Sequence, residues 1–511
     1  MSGFEAALGR VPLLLAQHFL LSAAAIALGL AFSLPLILVS VRRPAIGRLA
    51  LALAGLVQTI PALALLALFY PLLLLFSATV GGRLPALGFL PSLLALTLYA
   101  VLPILRNGVT GLAGLDPAVI EAAEGMGMTS WQKLRLVEAP LALPMLMAGI
   151  RTAAVWTVGA ATLATTVGQA SLGDLIFAGL QTQDWALVLA GCLAAAALAM
   201  TMDGLLGWVE HGLRHRKRRP ALTAAVVIVA ALLLSAVALW PRGERTIVIG
   251  AKNFSEQFIL ARLIGHRLER AGYRVEYREG LGSAVIFSAL QSGDVDLYVD
   301  YAGTLWGSEM RRHDRLPRAA MIAAIGDWAR RQNGVRLLAP LGFENAYAFA
   351  MQPARARSLG VASLADLTRV APRLTLGSDL EFLDRPEWRD VRDSYGLRFA
   401  TTQPYAPTFL YRALGSGRAD VISAFSSDGR IAADRLTLLT DPRGAIPGYD
   451  ALLLVDGAHA GDTRLTDALA PLARRISLSA MQEANYRVDR DAAKQSPDAA
   501  ARWLARRIGL E

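Results

Sequence analysis

The chain has 511 residues, of which 54% are hydrophobic and 18% charged. Soluble globular chains are typically about 45–50% apolar and about 25% charged, so a wholly soluble, a disordered and a coiled-coil chain are all excluded, and the length sets an expectation of about three domains. Cys192 is the single cysteine, which excludes an internal disulfide framework. Residues 1–241 hold 14 of the 51 Lys and Arg and 9 of the 41 Asp and Glu, so each part of the chain carries +5. The net charge of +10 therefore marks no single nucleic-acid-binding face, and no nucleic-acid partner is expected.

A hydrocarbon core is crossed by roughly 20 apolar residues in a helix. Five such runs precede residue 211, at about 13–41, 49–77, 85–105, 141–167 and 185–209, and a sixth, 221–240, has no charge. Basic residues sit where these runs end: Arg42, Arg43 and Arg48, then Arg106, Lys133 and Arg135, then Arg214, Arg216, Lys217, Arg218 and Arg219. Lys and Arg are retained on the cytoplasmic side. Alternation then puts the N-terminus outside, and the sixth span carries residues 242–511 to the outer face. His211 and His215 have a spacing that can hold a metal, but no HExxH surrounds them, and a solvated membrane flank is the expectation. Within the spans Gln58, Thr59, Asn107, Thr162, Thr165, Thr166 and Gln169 are polar, either tying helices together or lining a path.

The link over about 106–140 reads as more than a loop. Glu121-Ala122-Ala123-Glu124 favours helix, Gly125 and Gly127 turn the chain, WQKLRLV resumes helix with Trp131, Leu134 and Val137 on one face, and Pro140 closes it. Two short helices at an angle make a knob that fits a groove on another protein.

From Arg245 the character changes. TIVIGAKNF is a short strand ending in glycine, 256–271 an amphipathic helix, YRVEYREG an alternating strand, and 283–306 helix, turn and strand. LTLGSDLEF and ADVISAFSSDG supply a second β-rich set. This alternation predicts α/β lobes with parallel sheets, and a cleft between two lobes is a preferred small-molecule site. Asn253 and Ser255 are expected to cap the helix that follows them.

These motifs carry a resemblance. Glu121, Ala122, Ala123, Gly127 and Pro140 match the coupling signature of bacterial ABC-importer permeases, with Val137 and Ala139 as conservative departures. QTIPALALLAL from Gln58, AVLPILRNGVTGL from Ala100 and AGIRTAAVWTVGAATLA from Ala148 resemble the permeases of osmoprotectant importers of the glycine betaine and choline type. GAKNFSEQFIL, GDVDLYVDYAGT, ENAYAFAM and SSDGRI, in that order, resemble the extracellular binding proteins of the same importers. The resemblance implies a membrane all-α permease, a five-span ABC type I core plus one linking span, fused to a two-lobed α/β periplasmic-binding-protein domain of type II. Its divisions are 1–212 for the permease, 213–244 for the basic linker and sixth span, and 245–511 for the binding domain, with one lobe about 245–348 and 450–511 and the other about 349–449.

It also implies a bacterial inner (plasma) membrane location, membrane lipid around the spans, a homodimer of this chain, and a separate cytoplasmic ABC ATPase seated on the 121–140 loop. No GxxxxGK[ST] phosphate loop occurs, so ATP is the partner's and no cofactor is expected in this chain. A quaternary ammonium has charge but no N–H, and aromatic faces grip it by about 0.5–2 kcal/mol each. By motif position the expected ligand-contacting aromatics are Tyr301 and Tyr347, with Phe382 and Tyr411 from the second lobe. Gln257, Thr304 and Ser283 would serve the ligand's other end, and Asp428 would face the cation or cap a helix. Glycine betaine, choline and carnitine fit this chemistry, as does ergothioneine, which relatives of this fused architecture take up. A membrane-tethered ligand sensor has no use for a coupling loop. An enzyme is not expected, since there is no GxSxG or metal cluster and His266, His313 and His459 are scattered.

Overall fold

The computed structural model describes all residues except 1–2, 81–84, 183, 216–217, 240–245, 313, 315, 333, 380–381, 406, 491 and 511. Arg216, Lys217, Trp240, Arg245 and His313, singled out above, lie outside the described residues. The chain divides into two compact units, one holding 1–177 and 185–243, the other holding 178–184 and 244–511.

The first unit is helical. Ala7–Arg42, Phe89–Ala113, Ser130–Val167, Trp185–Arg214 and Arg219–Ala238 are each long and apolar enough to cross a membrane. The expected single span at 49–77 is instead a pair, Pro44–Thr59 and Ala62–Ser77, bent by 102°. Pro61 has no N–H to donate and disfavours helix at the residue before it; Ile60 is extended at φ −74°, ψ 126°. Its carbonyl, freed by the break, accepts a hydrogen bond from Tyr99 Oη. Leu53, Leu56, Leu193, Met200, Leu222 and Leu234 are exposed, the outward face that lipid tails would solvate.

Close approach holds the helices together. A Cβ on Gly149 would meet the Pro103 carbonyl at 2.6 Å and Asn107 Cβ at 2.8 Å. Small residues permit such contact where no hydrophobic drive exists between helices in lipid. The polar residues expected to tie helices mostly bond locally: Asn107 to the Pro103 carbonyl, Thr59 to Leu56, Thr162 to Gly159, Thr166 to Leu163 and Gln169 to Ala170. A short side chain on a helix reaches its own preceding turn more readily than a neighbour. Gln58 does reach a neighbouring helix, its Nε2 donating to the Tyr99 carbonyl at 3.4 Å, while the shorter interhelical ties come from residues the sequence pattern left unmarked. Arg151 grips Asp203 through two nitrogens at 2.9 and 2.8 Å and Glu210 at 2.9 Å. Buried His18 accepts from Leu172 N–H at Nδ1 (3.3 Å), which leaves Nε2 to donate to the Val158 carbonyl at 2.9 Å.

The 114–140 link forms the expected pair of short helices. Asp116 caps Pro117–Gly125 by accepting from Ala118 N–H at 2.9 Å. Gly127 turns the chain at φ +77° with open space around it, so it is needed for its backbone freedom. Thr129 and Gln132 make a capping box for Ser130–Lys133, and Lys133 pairs with Glu124 across the turn. Pro140 does not close the second helix. A π turn over Leu134–Glu138 leads into Ala139–Ala161 with Pro140 in its first turn, where a missing N–H is tolerated. Met126, Trp131 and Leu136 stand exposed on this knob, whereas Leu134 and Val137 are half-buried.

Among the described residues the second unit contains ten strands: β1 (Thr246–Lys252), β2 (Arg274–Leu281), β3 (Leu297–Tyr301), β4 (Arg336–Glu344), β5 (Tyr347–Met351), β6 (Thr375–Ser378), β7 (Thr401–Pro404), β8 (Val421–Phe425), β9 (Thr437–Leu439) and β10 (Asp450–Val455). They form two sheets, ordered β2-β1-β3-β10-β4 and β7-β6-β8-β5-β9. The sheets are mixed rather than purely parallel. β10 returns antiparallel to β3 and β4, and β5 is antiparallel to β8 and β9. The chain crosses between sheets at 344–347 and again at 439–450, so each lobe receives a strand that has run back from the other. β10 is buried along its whole length, as its unbroken apolar run Ala451–Val455 requires.

Substituting valine for Gly149 should destabilise the helical unit by about 1–3 kcal/mol through overpacking against Pro103 and Asn107. Thermal unfolding of the detergent-solubilised chain would show this as a lowered midpoint.

Candidate functional site

The C-terminal ends of β1 and β3 and the chain just beyond them meet residues of the second lobe around one cavity. β1 delivers Lys252, Asn253 and Phe254, and the helix Ser255–Arg270 begins at once with Ser255 and Glu256 on the cavity wall. β3 delivers Tyr301, with Thr304 in the turn beyond it. The first crossover supplies Asn345 and Tyr347, and the second supplies Tyr449. From the second lobe come Asp379, Arg385, Tyr411, Phe425, Ser427 and Asp428, and the helix Leu478–Asp489 adds Asn485 and Asp489.

Charges at this cavity are held individually. Lys252 and Asp300 are both buried and pair at 2.5 Å, and Asp300 also accepts from Tyr298 Oη at 2.6 Å and Tyr301 N–H at 2.7 Å. Asp300 is thus neutralised behind the cavity. Glu256 pairs with no cation among the described residues. Its Oε1 accepts from Tyr301 Oη at 2.5 Å and Asn345 Nδ2 at 3.1 Å, and its Oε2 from Asn485 Nδ2 at 2.9 Å. Burial pushes its pKa up, opposed by hydrogen bonds from Ser427, Tyr301 and Asn485. Asp428 is raised by burial while accepting from Tyr411 Oη. Asp489, bonded by Ser255 Oγ at 2.6 Å, is pushed to about 7 by burial, with the nearby Asp428 carboxylate adding to the rise and Arg430 opposing it.

Aromatic rings cover the remaining wall. Phe254 and Phe425 lie nearly parallel, 6.5 Å between centroids, and Phe254 lies 6.2 Å from Tyr301. Tyr347 contacts Phe425 at 4.7 Å and meets Tyr449 edge-on at 6.0 Å. Lys252 Nζ stands 5.5 Å from the Tyr301 ring and Arg385 5.7 Å from that of Tyr347. Rings beside several carboxylates suit a compact cation with an apolar surface.

Of the residues expected at the site, Ser283, Tyr301, Thr304, Tyr347, Tyr411 and Asp428 line the cavity. Gln257 stands behind it. Its Nε2 donates to Tyr301 Oη at 2.9 Å and to the Val299 carbonyl at 3.0 Å, so it orients the tyrosine. Phe382 is fully buried and packs on Tyr347 at 4.8 Å and Phe349 at 5.7 Å. Asn253 and Ser255 do not cap their helix, whose N-cap is Phe254 with no side-chain bond; both face the cavity. Asp428 accepts from Phe425 N–H at 3.4 Å and Tyr411 Oη, holding its own loop. Sequence reasoning passed over Phe254, Glu256 and Phe425, although all three lie within or beside quoted motifs. It also missed Asn345, Tyr449, Asn485 and Asp489, of which only Asn345 sits in one.

A two-lobed α/β unit with such a cleft, following a bundle of membrane-length helices, defines a solute receptor joined to a membrane permease. Residues 16–215 match the family described as binding-protein-dependent transport system inner membrane component. Residues 245–506, half of the chain, match the substrate binding domain of ABC-type glycine betaine transport system, and the chain belongs to that family. It is a multi-pass inner-membrane transport subunit in which permease and receptor are fused. It is similar to the ergothioneine transport permease/ergothioneine binding protein EgtU of Helicobacter pylori (strain G27), 28% identical over 90% of this chain and 83% of the relative. Its permease part is 40% identical to the carnitine transport permease protein OpuCD of Listeria monocytogenes serotype 1/2a (strain 10403S), over 41% of this chain and 89% of the relative. A solved glycine betaine/carnitine/choline ABC transporter structure is 25% identical over 52% of this chain and 99% of that chain, with a TM-score of 0.46.

The raised Asp489 has a stability consequence. A carboxyl whose folded pKa of about 7 exceeds its unfolded value of 3.8 binds its proton more tightly when folded. Its stabilising contribution is full below pH 3.8 and is lost as pH rises to about 7. Asp489→Asn should therefore gain stability relative to the parent between pH 4 and 7 and hold that gain above it, read from unfolding midpoints across pH.

Proposed function

We propose that this chain is the membrane subunit of an ABC importer that captures a quaternary-ammonium compound, of the glycine betaine, choline or carnitine type, in its outer domain and passes it inward. The reading rests on one observation: Phe254, Tyr301, Tyr347, Phe425 and Tyr449 share a cleft with the carboxylates of Glu256, Asp428 and Asp489. Rings supply attraction that needs no N–H from the ligand, and carboxylates supply the counter-charge. Ser283 and Thr304 on the first lobe offer hydroxyl groups to the ligand's other end. Ergothioneine is the second candidate, favoured by the similarity to EgtU along most of both chains.

Two copies of this chain and two cytoplasmic ATPases form the working unit, with the N-terminus and residues 245–511 outside. The basic residues Arg42, Arg43, Arg48, Lys133, Arg135, Arg214 and Arg219 support that orientation. The knob built from Glu121, Ala122, Ala123 and Gly127, with exposed Met126, Trp131 and Leu136, is the seat for the ATPase. Pro140 contributes as the residue that starts the following span. Ligand closes the cleft, the closed receptor engages the permease, and ATP used by the partner drives the change of access. A sensor without transport would have no use for that knob.

Calorimetry on the purified chain with glycine betaine, choline, carnitine and ergothioneine tests the ligand class. One of them should bind, and Tyr301→Ala should weaken it about tenfold or more, since it removes a ring and leaves buried Glu256 short of a donor. Binding of none of the four, or an unchanged affinity in the variant, would overturn the quaternary-ammonium reading. Binding below pH 7 should also release protons from Asp489, because a bound cation favours its carboxylate form.

Gly127→Val places a β-branched residue at φ +77°, at a cost of about 1–2 kcal/mol or more. Together with Trp131→Ala it should reduce uptake into cells severalfold while leaving calorimetric ligand affinity unchanged. Equal uptake by the double variant would remove the coupling role.

A further inference from the structure

At the other end of the first-lobe sheet, Asp296 immediately precedes β3 and Asp456 immediately follows β10. The two residues are neighbours across the sheet, and Asp456 N–H donates to the Asp296 carbonyl at 2.8 Å. Both residues are carried inside, with side chains 11% and 5% exposed. His459, in the turn after β10, leans back over them. Its Nδ1 lies 2.9 Å from Asp456 Oδ1 and 3.6 Å from Asp296 Oδ1, and one ligand atom from each of the three falls within 4.8 Å of the others. Asp296 Oδ2 is occupied by Val248 N–H at 2.7 Å. Its Oδ1, in contrast, accepts no hydrogen bond among the described residues and faces the shared centre. Asp456 Oδ1 also accepts from His459 N–H at 2.9 Å, which fixes the turn.

Two buried carboxylates so close repel unless a cation lies between them. Arg278 is near enough to favour the Asp296 carboxylate, but it forms no ion pair with either. A tetrahedral zinc with bonds of about 2.0–2.2 Å needs ligand atoms about 3.2–3.6 Å apart. The two distances to the imidazole, 2.9 and 3.6 Å, lie within a few tenths of an ångström of that range, and the two carboxylate oxygens, within 4.8 Å of each other, would draw in on the ion. The set of two oxygens and one nitrogen leaves a fourth position for water. Tyr301 lies at the far end of β3, five residues from Asp296 and so about 16 Å along the strand at ~3.3 Å per residue. The centre is separate from the solute cleft.

We propose that Asp296, Asp456 and His459 form a binding site for a divalent transition-metal ion, best suited to zinc, that fastens the turn after β10 to the start of β3. The ion takes the place of the hydrogen on His459 Nδ1, the carboxylates neutralise its charge, and the turn loses its freedom to lift away from the sheet. Its role is structural, since none of the three residues lines the solute cleft.

The test uses the purified full-length chain, stripped with chelator and titrated with zinc chloride. His211 and His215, whose rings lie 4.2 Å apart on another helix, are first replaced by alanine to remove a competing zinc pair. One zinc per chain should remain after desalting, and the unfolding midpoint should rise on its addition. His459→Gln and Asp296→Asn should each weaken zinc binding at least tenfold. Asparagine keeps an oxygen for Val248 N–H, and His459 is only half-buried in a turn outside the sheet, so both variants should fold and keep their solute affinity. Absence of saturable zinc, zinc lost only with His211 and His215, or zinc retained unchanged in both His459→Gln and Asp296→Asn would each overturn the assignment.

Discussion

Glu256 is a buried carboxyl with no ion pair among the described residues, and the architecture of the receptor unit converges on keeping it there. Its donors come from separate parts of the chain: Tyr301 from the end of β3, Asn345 from the first crossover, Ser427 from the loop after β8 and Asn485 from the helix near the C-terminus. A buried charge costs several kcal/mol unless its lone pairs are met, so losing any one of these segments exposes the rest to that cost. The same residue therefore joins the two lobes and sets the negative potential of the cleft.

Among the described residues, three cations stand around the cleft. Lys252 is paired with Asp300, Arg430 donates to the Asp489 carbonyl at 2.6 Å, and Arg385 lines the wall beside the Tyr347 ring. The cleft thus presents carboxylates in hydrogen-bonded loops, a wall of rings and the Arg385 guanidinium. Burial has raised Glu256, Asp428 and Asp489 toward their neutral forms, and a cation close to them favours their charged forms.

The helical unit solves a different problem with other means. In lipid, apolar surface gives no net drive for helix association, so contact rests on close backbone approach at Gly149 and on a few strong polar ties. Arg151 with Asp203 and Glu210 and His18 with Val158 and Leu172 supply those ties. The break at Pro61 and the π turn before Pro140 show how proline is accommodated, once by bending the chain and once by widening it.

Much of this was legible in the residues themselves. Apolar run length marked the spans, because roughly 20 apolar residues in water have few alternatives to burial in lipid. The glycine at 127 announced a turn, and ordered motifs such as GAKNFSEQFIL and GDVDLYVDYAGT located the ends of β1 and β3 beside the cleft. What the linear order could not hold was the set of partners. Asn485 and Glu256 are 229 residues apart, and Asp489 and Ser255 are 234 apart. Nothing local distinguishes Asn485 and Asp489 on the helix Leu478–Asp489 from other polar positions. Nor could it show that Gln257 orients Tyr301 from behind, or that Phe382 supports Tyr347 from the core, since both depend on which side of a strand or turn faces solvent. Periodicity is a property of neighbours in sequence and survives in the one-dimensional string. A binding site is a property of neighbours in space, and only the packing of two sheets on a pair of crossovers decided which residues those would be.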